Sequence, residues 1–282
     1  MDKTPLVTLT TDFGTADGYV GAMKGVVLGI VPNVRLVDIS HQIAPQDVRQ
    51  AAFALYTAAP FFPPDAIHLV VVDPGVGGAR RAIAVRTSGG TLVGPDNGVF
   101  SYVMARGEVE AAVALTDPRY HLPRVSHTFH GRDVFAPAAA HLAAGVPIDA
   151  LGPPVHDPIT FPPPLLEVRP GEIAGEVLHV DRFGNVVTSI GCLAWRGDAL
   201  RLDPAFRQTG DAAGAVCFRA DGTTVAVAGR KIGGVCRTYA EVKPGETLAL
   251  VGSGGHLEIA VREGSAARRL DVRPGAPVAL RW

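Results

Sequence analysis

One feature constrains this chain more than any other: a run of strand-forming residues that ends directly in a carboxylate and a glycine-rich turn. Residues 69–72 are purely apolar, and Asp73-Pro74-Gly75-Val76-Gly77-Gly78-Ala79-Arg80 follows them without a break. Such strands are typical of parallel sheets covered on both faces, and ligands bind these sheets beyond the carboxyl ends of the strands. The run therefore predicts a site in this loop, while a structural Asp73 that caps its own turn is the alternative.

Apolar periodicity in the first half of the chain predicts strands and helices in alternation. Strands are expected over residues 6–11, 34–39, 67–72, 82–85 and 111–115. Apolar spacings of three and four predict helices near residues 20–30, 48–55, 99–105 and 131–145. Thr15 or Asp17 suits the N-cap of the first helix, and Pro45 suits the first turn of the second. This alternation predicts an α/β domain with a mainly parallel, helix-covered sheet.

Prolines concentrated between residues 153 and 170 predict a stiff connection between two domains. Beyond it, the helical period gives way to short β-rich segments separated by Gly and Pro turns, which predicts an antiparallel barrel or sandwich. The expected strands are residues 176–181, 186–190, 215–219, 223–228, 247–251 and 257–261. The predicted organisation is an α/β domain over residues 1–152, a linker over 153–170 and a smaller β domain over 171–282.

Bulk composition argues against several classes of protein. The 282 residues carry a formal net charge of -1, whereas a nucleic-acid binder needs a concentrated positive surface. The N-terminal residues lack a basic stretch followed by an apolar core, and no run of about 18 apolar residues is present that would span a bilayer. We therefore expect a cytoplasmic protein with no nucleic-acid or membrane partner, whose three cysteines are buried free thiols.

Two motifs leave alternatives open. The glycine-rich loop resembles a dinucleotide fingerprint, but Arg80 stands where the third glycine belongs, and a strand follows instead of a phosphate-binding helix. His127, His130 and Asp133 have a spacing compatible with metal ligands. A catalytic metal usually needs three protein ligands with supporting partners, so solvated or helix-capping roles compete with metal binding.

Five motifs occur in an order that resembles one known family. They are Thr11-Asp12-Phe13-Gly14 with Asp17, Asp73-Pro74-Gly75-Val76-Gly77 with Arg80, Pro95-Asp96-Asn97-Gly98, Phe129-His130-Gly131-Arg132-Asp133, and Asp181-Arg182-Phe183-Gly184-Asn185. Together they are similar to the S-adenosyl-L-methionine (SAM) hydroxide adenosyltransferases, hydrolase relatives of the fluorinase and chlorinase. The resemblance covers nearly the whole chain, and five ordered motifs are far more specific than any one of them.

The resemblance implies an N-terminal α/β domain, a smaller C-terminal antiparallel β-barrel domain, and a homotrimer with substrate held between subunits. It implies no metal or redox cofactor. It assigns a water-activating triad to Asp73, Arg80 and His130. The substrate-binding residues that it implies are Asp12 for the ribose hydroxyls, Phe183 and Asn185 for adenine, Asp181 for the methionine ammonium, and Ser253 for the carboxylate.

Several positions depart from the halogenase branch of this family. Asp73 stands where halogenases carry Tyr, and Gly131 stands where they carry a halide-binding Ser. Gly254 replaces an Arg that halogenases offer to the substrate carboxylate, and Gln46 replaces a Trp that lines their pocket. These departures favour water over halide as the nucleophile.

The expected reaction is attack of an activated water on the ribose 5′ carbon of SAM, which yields adenosine and L-methionine. Methionine leaves as a neutral thioether, so no general acid is needed. Arg80 is expected to keep Asp73 ionised, and Asp73 with His130 is expected to orient the water and take its proton. The alternatives are a non-catalytic protein that binds adenosyl ligands, a SAM-dependent halogenase, and a metal-dependent hydrolase built on His127, His130 and Asp133.

Overall fold

The chain folds into two compact units. The computed structural model describes residues 4–204 and 215–282. The first unit ends at Phe161 and the second begins at Pro162, within the proline-rich segment. We call them unit 1 and unit 2.

Within its described residues, unit 1 is a six-stranded sheet with helices packed on it. The strands are β1 (Leu6–Thr11), β2 (Arg35–Ser40), β3 (Ile67–Val71), β4 (Ala82–Thr87), β5 (Gly90–Pro95) and β6 (Val109–Ala114). The helices are α1 (Tyr19–Ile30), α2 (Val48–Ala58), α3 (Ser101–Arg106) and α4 (Ala136–Ala143), with a π-helical turn over Gly131–Phe135 directly before α4. Short 3₁₀ turns occupy Ala59–Phe61, Pro118–Tyr120 and Ile148–Leu151.

The sheet of unit 1 is mixed, with the strand order β2-β1-β3-β5-β4-β6. β1 pairs in parallel with β2 and β3, and β3 pairs in parallel with β5. β4 is antiparallel to both β5 and β6. Only Ser88 and Gly89 connect β4 to β5, and so short a turn reverses the chain direction between these two strands. The predicted α/β class is confirmed, and the predicted mainly parallel sheet contains an antiparallel hairpin.

Two apolar cores hold the helices on the two faces of this sheet. Leu69 packs into the core that includes Met23 of α1 and Phe135. Its neighbour Val70 packs into the other core, with Leu55 of α2. Successive strand residues point to opposite faces, so a strand covered on both sides needs an unbroken apolar run. This is the physical reason for the purely apolar sequence before Asp73.

Two predicted helix starts are wrong. α1 begins after Gly18 without a side-chain cap, so neither Thr15 nor Asp17 has the predicted role. α2 begins after Asp47, whose side chain accepts a backbone N–H of the first turn, and Pro45 therefore precedes the helix. A local carboxylate cap satisfies an otherwise unpaired N–H, and this fixes the start of α2.

Unit 2 is built mainly from antiparallel strands. They are β7 (Leu166–Arg169), β8 (Glu172–Val180), β9 (Val186–Thr188), β10 (Leu193–Arg196), β11 (Ala199–Leu202), β12 (Val216–Arg219), β13 (Thr224–Val227), β14 (Arg230–Gly233), β15 (Thr247–Val251), β16 (Leu257–Val261) and β17 (Pro277–Arg281). A 3₁₀ turn at Tyr239–Glu241 and the helix α5 (Ala266–Leu270) complete the unit. The main sheet has the order β14-β13-β17-β8-β9-β16-β15 with β7 on β8, and β10-β11-β12 form a second sheet.

The main sheet of unit 2 curls into a nearly closed, barrel-like form. β14 and β15 stand at opposite ends of the strand order, yet Cys236, which follows β14, bridges to Leu250 of β15. Fully buried side chains such as Ile173 and Ile259 fill the interior. The antiparallel β unit is therefore confirmed. β7, β10, β11, β14 and β17 were not predicted, because strands of four or five residues show too little alternation to be recognised.

Two predictions made from composition concern the burial of the cysteines and the absence of a membrane-spanning segment. Cys192, Cys217 and Cys236 are free thiols, but their predicted burial is wrong. Cys217 is exposed because it lies on the outward side of β12, next to the buried Phe218. Across residues 4–204 and 215–282, no helix is long and apolar enough to cross a bilayer.

Candidate active site

The loop after β3 places an ion pair at the carboxyl end of the sheet. Arg80 Nε donates to both carboxylate oxygens of Asp73, at 2.9 and 3.0 Å, and Nη2 donates a further bond to Oδ2. The Arg80 guanidinium also lies 5.2 Å from the centroid of the Phe135 ring. The Asp73 and Arg80 side chains are only 5% and 11% exposed. A pair with several aligned hydrogen bonds and little solvent contact keeps a defined geometry.

The glycine-rich turn lets Asp73 and Arg80 meet. Gly77 has a φ of +75°, and a Cβ there would lie 2.3 Å from the carbonyl oxygen of His127. Glycine adopts this backbone conformation without strain and leaves room for the neighbouring carbonyl. The turn therefore folds back on itself, and residues seven positions apart come into direct contact.

His130 joins the ion pair from a distant part of the chain. Its Nδ1 lies 2.8 Å from Arg80 Nη2. A guanidinium nitrogen only donates, so Nδ1 accepts, and the ring proton of the neutral imidazole is on Nε2. Burial, followed by the positive charge of Arg80, lowers the pKa of His130, although Asp73 acts in the opposite direction. The site thus favours a neutral imidazole that can donate through Nε2.

The π-helical turn sets the position of His130. His130 immediately precedes the turn, and a Cβ at Gly131 would lie 3.2 Å from Cγ1 of Val71, near the end of β3. Because glycine has no side chain, the turn can pack this close to the strand that leads to Asp73. Isolated π-helical turns are frequent at functional sites.

Asp133 anchors the loop that precedes the π-helical turn. It is fully buried, and its carboxylate accepts hydrogen bonds from the Arg132 side chain and from Ser126 N. In the described part of the chain, no group of three His, Cys, Asp or Glu side chains is arranged to hold a metal ion. Asp133 therefore has a structural explanation in its contacts with Arg132 and Ser126.

Asp12 lies at the same edge of the sheet, directly after β1. Thr11 of β1 is opposite Val71 of β3, so the loops that follow these parallel strands begin side by side. Asp12 Oδ2 accepts the backbone N–H of Gln46 at 2.8 Å. Gln46 has a φ of +66°, an uncommon and strained conformation for a non-glycine residue, and such residues cluster at functional sites. Sequence reasoning noted the side chain of Gln46 but missed this backbone role.

The Pro95-Asp96-Asn97-Gly98 motif supports the same edge of the sheet. Asn97 Nδ2 donates to the carbonyl of Val72 at 2.9 Å, one residue before the ion pair. Asp96 is 1% exposed and accepts Arg81 Nε at 2.6 Å. The motif therefore braces the loop after β3 from the neighbouring strand β5.

In unit 2, the loop of residues 181–185 is closed by its own aspartate. Asp181 Oδ1 accepts the backbone N–H groups of Phe183 and Asn185 at 2.9 and 2.8 Å, and Oδ2 accepts Asn185 Nδ2 at 2.9 Å. Gly184 has a φ of +85°, which suits this tight turn. The Phe183 ring stands at the tip and is 78% exposed. Asp181 therefore shapes the loop, a role that sequence reasoning did not assign to it.

Two residues beside this loop escaped the sequence analysis. Tyr239 is 41% exposed, and its hydroxyl lies 3.4 Å from Asn185 Nδ2. Glu258 is partly buried, and burial followed by the negative charge of Asp181 raises its pKa. No motif marks either position. Strand pairing brings Glu258 opposite Val187, just beyond the loop, and this contact depends on the fold.

Ser253 lies in the turn between β15 and β16. A Cβ at the preceding residue, Gly252, would lie 1.7 Å from Glu258 Oε1. The Glu258 carboxylate therefore lies against the backbone of the Ser253 turn, and the negative charge of Asp181 also acts on it. Glu258 thus connects the two loops of unit 2 in which sequence reasoning placed substrate contacts.

The predicted site residues fall into two groups. Asp73, Arg80 and His130 are in direct contact in unit 1, and Asp12 lies at the same edge of the sheet. Unit 2 holds the others in two neighbouring loops, with Asp181, Phe183 and Asn185 in one and Ser253 in the other. The group in unit 1 offers a carboxylate that accepts a proton and an imidazole N–H that donates, which suits the capture of one water molecule.

Comparisons with known proteins match both units. The family models described as the SAM hydroxide adenosyltransferase N-terminal and C-terminal domains match residues 7–152 and 175–279. An (R)-S-adenosyl-L-methionine hydrolase from Salinispora arenicola is 42% identical and covers 98% of this chain and 97% of its own length. A protein of the same name from Thermus thermophilus is 41% identical and covers 97% of this chain and 98% of its own length. A fluorinase from Actinopolyspora mzabensis is 29% identical and covers 66% of this chain and 71% of its own length.

Solved structures are similar over the same extent. An uncharacterized conserved protein from Thermotoga maritima has a TM-score of 0.84 at 34% identity, covering 98% of this chain and 100% of that one. A conserved hypothetical protein from Thermus thermophilus has a TM-score of 0.76 at 40% identity, covering 99% and 100%. Fold and site define a two-unit α/β protein with an aspartate–arginine–histidine cluster at its sheet edge. The chain belongs to the SAM hydroxide adenosyltransferase family, which confirms the resemblance.

Proposed function

We propose that this protein hydrolyses SAM to adenosine and L-methionine. Similarity to (R)-S-adenosyl-L-methionine hydrolases over nearly the whole chain supports the reaction. The observation that carries the proposal is the contact of Asp73, Arg80 and His130 at the edge of the sheet where α/β folds bind ligands. Water attacks the ribose 5′ carbon opposite the sulfur, the carbon–sulfur bond breaks, and its electron pair stays on methionine as a neutral thioether.

Asp73 is the base in this proposal, and His130 orients the water. A carboxylate has about four acceptor positions, so Asp73 can bind a water hydrogen in addition to Arg80. The hydrogen bonds from Arg80 fix the orientation of the Asp73 carboxylate. His130 donates its Nε2 hydrogen to one lone pair of the water oxygen, and the other lone pair attacks carbon. The proton released by the water passes to Asp73 and then to solvent.

Positioning supplies more of the rate than proton removal does. General-base assistance is worth about 10²–10⁴ in rate, whereas alignment of nucleophile and carbon supplies up to roughly 7–11 kcal/mol. The three side chains are fixed by one another and by packing, with Arg80 only 11% exposed. A prearranged cluster of this kind suits a reaction whose leaving group needs no protonation.

The proposed substrate contacts outside the cluster lie on both units. The exposed ring of Phe183 suits stacking on adenine, and the neighbouring acids suit an ammonium group. The proposed roles are ribose binding for Asp12, adenine binding for Phe183 and Asn185, ammonium binding for Asp181, and carboxylate binding for Ser253.

The proposed substrate is the R epimer at sulfur. The names of the similar hydrolases specify (R)-S-adenosyl-L-methionine, and L already fixes the amino-acid carbon, so R denotes the sulfonium centre. In-line attack requires one orientation of sulfur relative to the 5′ carbon, and the two epimers place the methionine chain differently around that sulfur. A site that fixes both ends of the substrate therefore discriminates between them.

The decisive experiment incubates the purified protein separately with each sulfonium epimer and measures adenosine and methionine by chromatography. We expect equimolar release of both products, faster from the R epimer, and incorporation of ¹⁸O from labelled water into the 5′ hydroxyl of adenosine. Bound SAM that stays intact for hours would instead identify a non-catalytic binding protein. A 5′-halogenated product after addition of fluoride or chloride would identify a halogenase.

Assembly and location belong to the same proposal. We infer a homotrimer in which substrate lies between subunits, and a cytoplasmic enzyme. Light scattering measures the mass of the assembly. If each site combines two subunits, dissociating and reassembling a mixture of the Asp73→Asn and Phe183→Ala variants restores part of the activity, measured at a SAM concentration low enough that each variant alone has little. Recovery equal to the sum of the separate variants would place each site within one subunit.

A further inference from the structure

Strand β1 carries two buried threonine–histidine pairs. Thr8 Oγ1 lies 2.8 Å from His68 Nδ1, and Thr11 Oγ1 lies 2.9 Å from His41 Nδ1. Both threonines are fully buried, and the two histidines are 0% and 5% exposed. The two pairs share their chemistry, but Thr11 directly precedes Asp12, the proposed ribose-binding residue.

His41 links Thr11 to charged groups on β2 and α1. His41 Nε2 lies 3.0 Å from Asp38 Oδ1, and Asp38 Oδ2 accepts Lys24 Nζ at 2.7 Å. His41 Nε2 has no hydrogen-bond partner among the described residues, so its 3.0 Å approach to Asp38 is an electrostatic contact. Burial raises the pKa of Asp38, but Lys24 and His41 together hold it below its usual value. An ionised carboxylate therefore faces Nε2.

The hydrogen bonds around Thr11 fit one arrangement of the protons. Phe13 N–H donates to Thr11 Oγ1 at 3.3 Å, which leaves the hydroxyl hydrogen available for a bond to Nδ1 of His41. The ring proton is then on Nε2, facing the carboxylate of β2. The carbonyl of His41 also accepts Gly14 N–H at 2.8 Å. His41 thus binds the segment around Asp12 on both of its sides.

We propose that His41 is a positioning residue that holds the Asp12 loop in the conformation that binds the ribose hydroxyls. The proposal rests on the proposed function of Asp12. Gln46 N–H already holds one Asp12 oxygen, and the contacts of His41 fix the backbone that carries the carboxylate. Loss of these contacts leaves the buried Thr11 hydroxyl without its acceptor and loosens the loop. Ribose binding weakens, while the chemistry at the 5′ carbon is little changed.

The pair of Thr8 and His68 is a matched control. His68 Nε2 has no hydrogen-bond partner among the residues that the structure describes, and the ring packs against Phe62 with centroids 5.8 Å apart. No predicted substrate contact adjoins Thr8. Removal of the Thr8 hydroxyl therefore deletes an equally buried group from the same strand without altering the proposed site.

The first test compares Thr11→Val with Thr8→Val, because each variant removes one hydroxyl and keeps the shape of the side chain. Thr11→Val is expected to raise KM for SAM and Kd for adenosine about 3- to 10-fold, with kcat within about twofold of wild type. Thr8→Val is expected to change neither constant. Kd is measured by calorimetry, and thermal unfolding of both variants records any change in stability.

Variants of His41 separate positioning from packing. His41→Asn keeps an amide group near the position of Nδ1, whereas His41→Gln places one near Nε2. We expect His41→Asn to retain more adenosine affinity than His41→Gln or His41→Ala. The affinity of 2′,3′-dideoxyadenosine provides a further readout. It is expected to be nearly equal for wild type and Thr11→Val, because the hydroxyls that Asp12 would bind are absent.

The outcomes distinguish this inference from the proposed function. Wild-type protein that releases no adenosine from either epimer contradicts the proposed hydrolysis. An active wild type with the same KM and Kd as Thr11→Val overturns the role of His41 and leaves hydrolysis standing. Equal losses of affinity for adenosine and for its dideoxy analogue also overturn it, because the effect is then independent of the ribose hydroxyls.

Discussion

The polar residues of unit 1 and unit 2 are held in different ways. In unit 1, Arg80 bonds to both Asp73 and His130, which lie 7 and 50 positions away from it in the sequence. In unit 2, the side-chain hydrogen bonds of Asp181 stay within its own loop of residues 181–185. The Asp73 side chain is 5% exposed, whereas Phe183 is 78% exposed.

This difference suits the two kinds of role proposed for these residues. Side chains that are already fixed by several partners lose little freedom when substrate arrives, so they suit the chemical step. A rigid backbone loop that presents an exposed ring suits capture of a flat ligand. We therefore expect changes in the cluster of Asp73, Arg80 and His130 to lower kcat and changes in the loop of residues 181–185 to raise KM.

The largest effect is expected at the ion pair. Asp73→Asn keeps the size of the side chain but removes the proposed base, so kcat is expected to fall about 10²- to 10⁴-fold with a much smaller change in the Kd of SAM. Single-turnover measurement of adenosine release, with calorimetry of SAM binding, checks both quantities. A variant with wild-type kcat would remove Asp73 from the mechanism and erase the distinction between the units.

A smaller effect is expected in unit 2. Phe183→Ala removes a ring that would stack on adenine, so KM is expected to rise about 10- to 100-fold with little change in kcat. Stability is expected to be unchanged because the ring is 78% exposed. Phe61, on unit 1 and 85% exposed, provides the control, since Phe61→Ala is expected to leave KM as it is. Equal effects of the two variants would contradict the role of Phe183.

A third effect, on stability, is expected from the buried His68 in the interior of unit 1. Burial lowers the pKa of His68 to about 4, so its neutral form stabilises the fold fully above pH 6.5 and this contribution is lost as the pH falls towards 4. Between pH 7 and pH 5 the loss is about 2 kcal/mol. Urea unfolding at both pH values checks it against His68→Asn, which lacks this titration. The same pH dependence in the variant would assign the loss to other groups.

The smallest effect concerns the pH profile of activity. The pKa of His130 is lowered from the ordinary histidine value of 6.5. The imidazole of the cluster therefore stays neutral at pH values somewhat below 6.5. The acidic limb of kcat/KM is therefore expected below about pH 6.5. A pH–rate profile, measured where the protein remains folded, checks this. A limb above pH 6.5 would mean that a different group controls activity.

The sequence predicted much of unit 1 because its signals are local. The apolar run before Asp73 marks a strand covered on both faces, and Leu69 and Val70 do enter different cores. Unit 2 was predicted only in outline, since its short strands carry few alternations and several were missed. Pro45 was predicted to lie in the first turn of α2, but the helix begins after Asp47, whose side chain caps it. Several residues near a helix start can serve as its first turn, and the side chain that caps the helix decides between them.

The sequence by itself determined the residue types of the site, the class of the fold and the family, because ordered motifs and apolar periods are properties of the chain. Only the tertiary structure decided which atoms meet. It showed that Arg80 bonds to His130, that Gln46 holds Asp12 through a strained backbone, and that Glu258 connects the two loops of unit 2. These contacts join residues that are far apart in the sequence. The distances between their atoms depend on how strands pair and helices pack, which the conformational preferences of neighbouring residues do not determine.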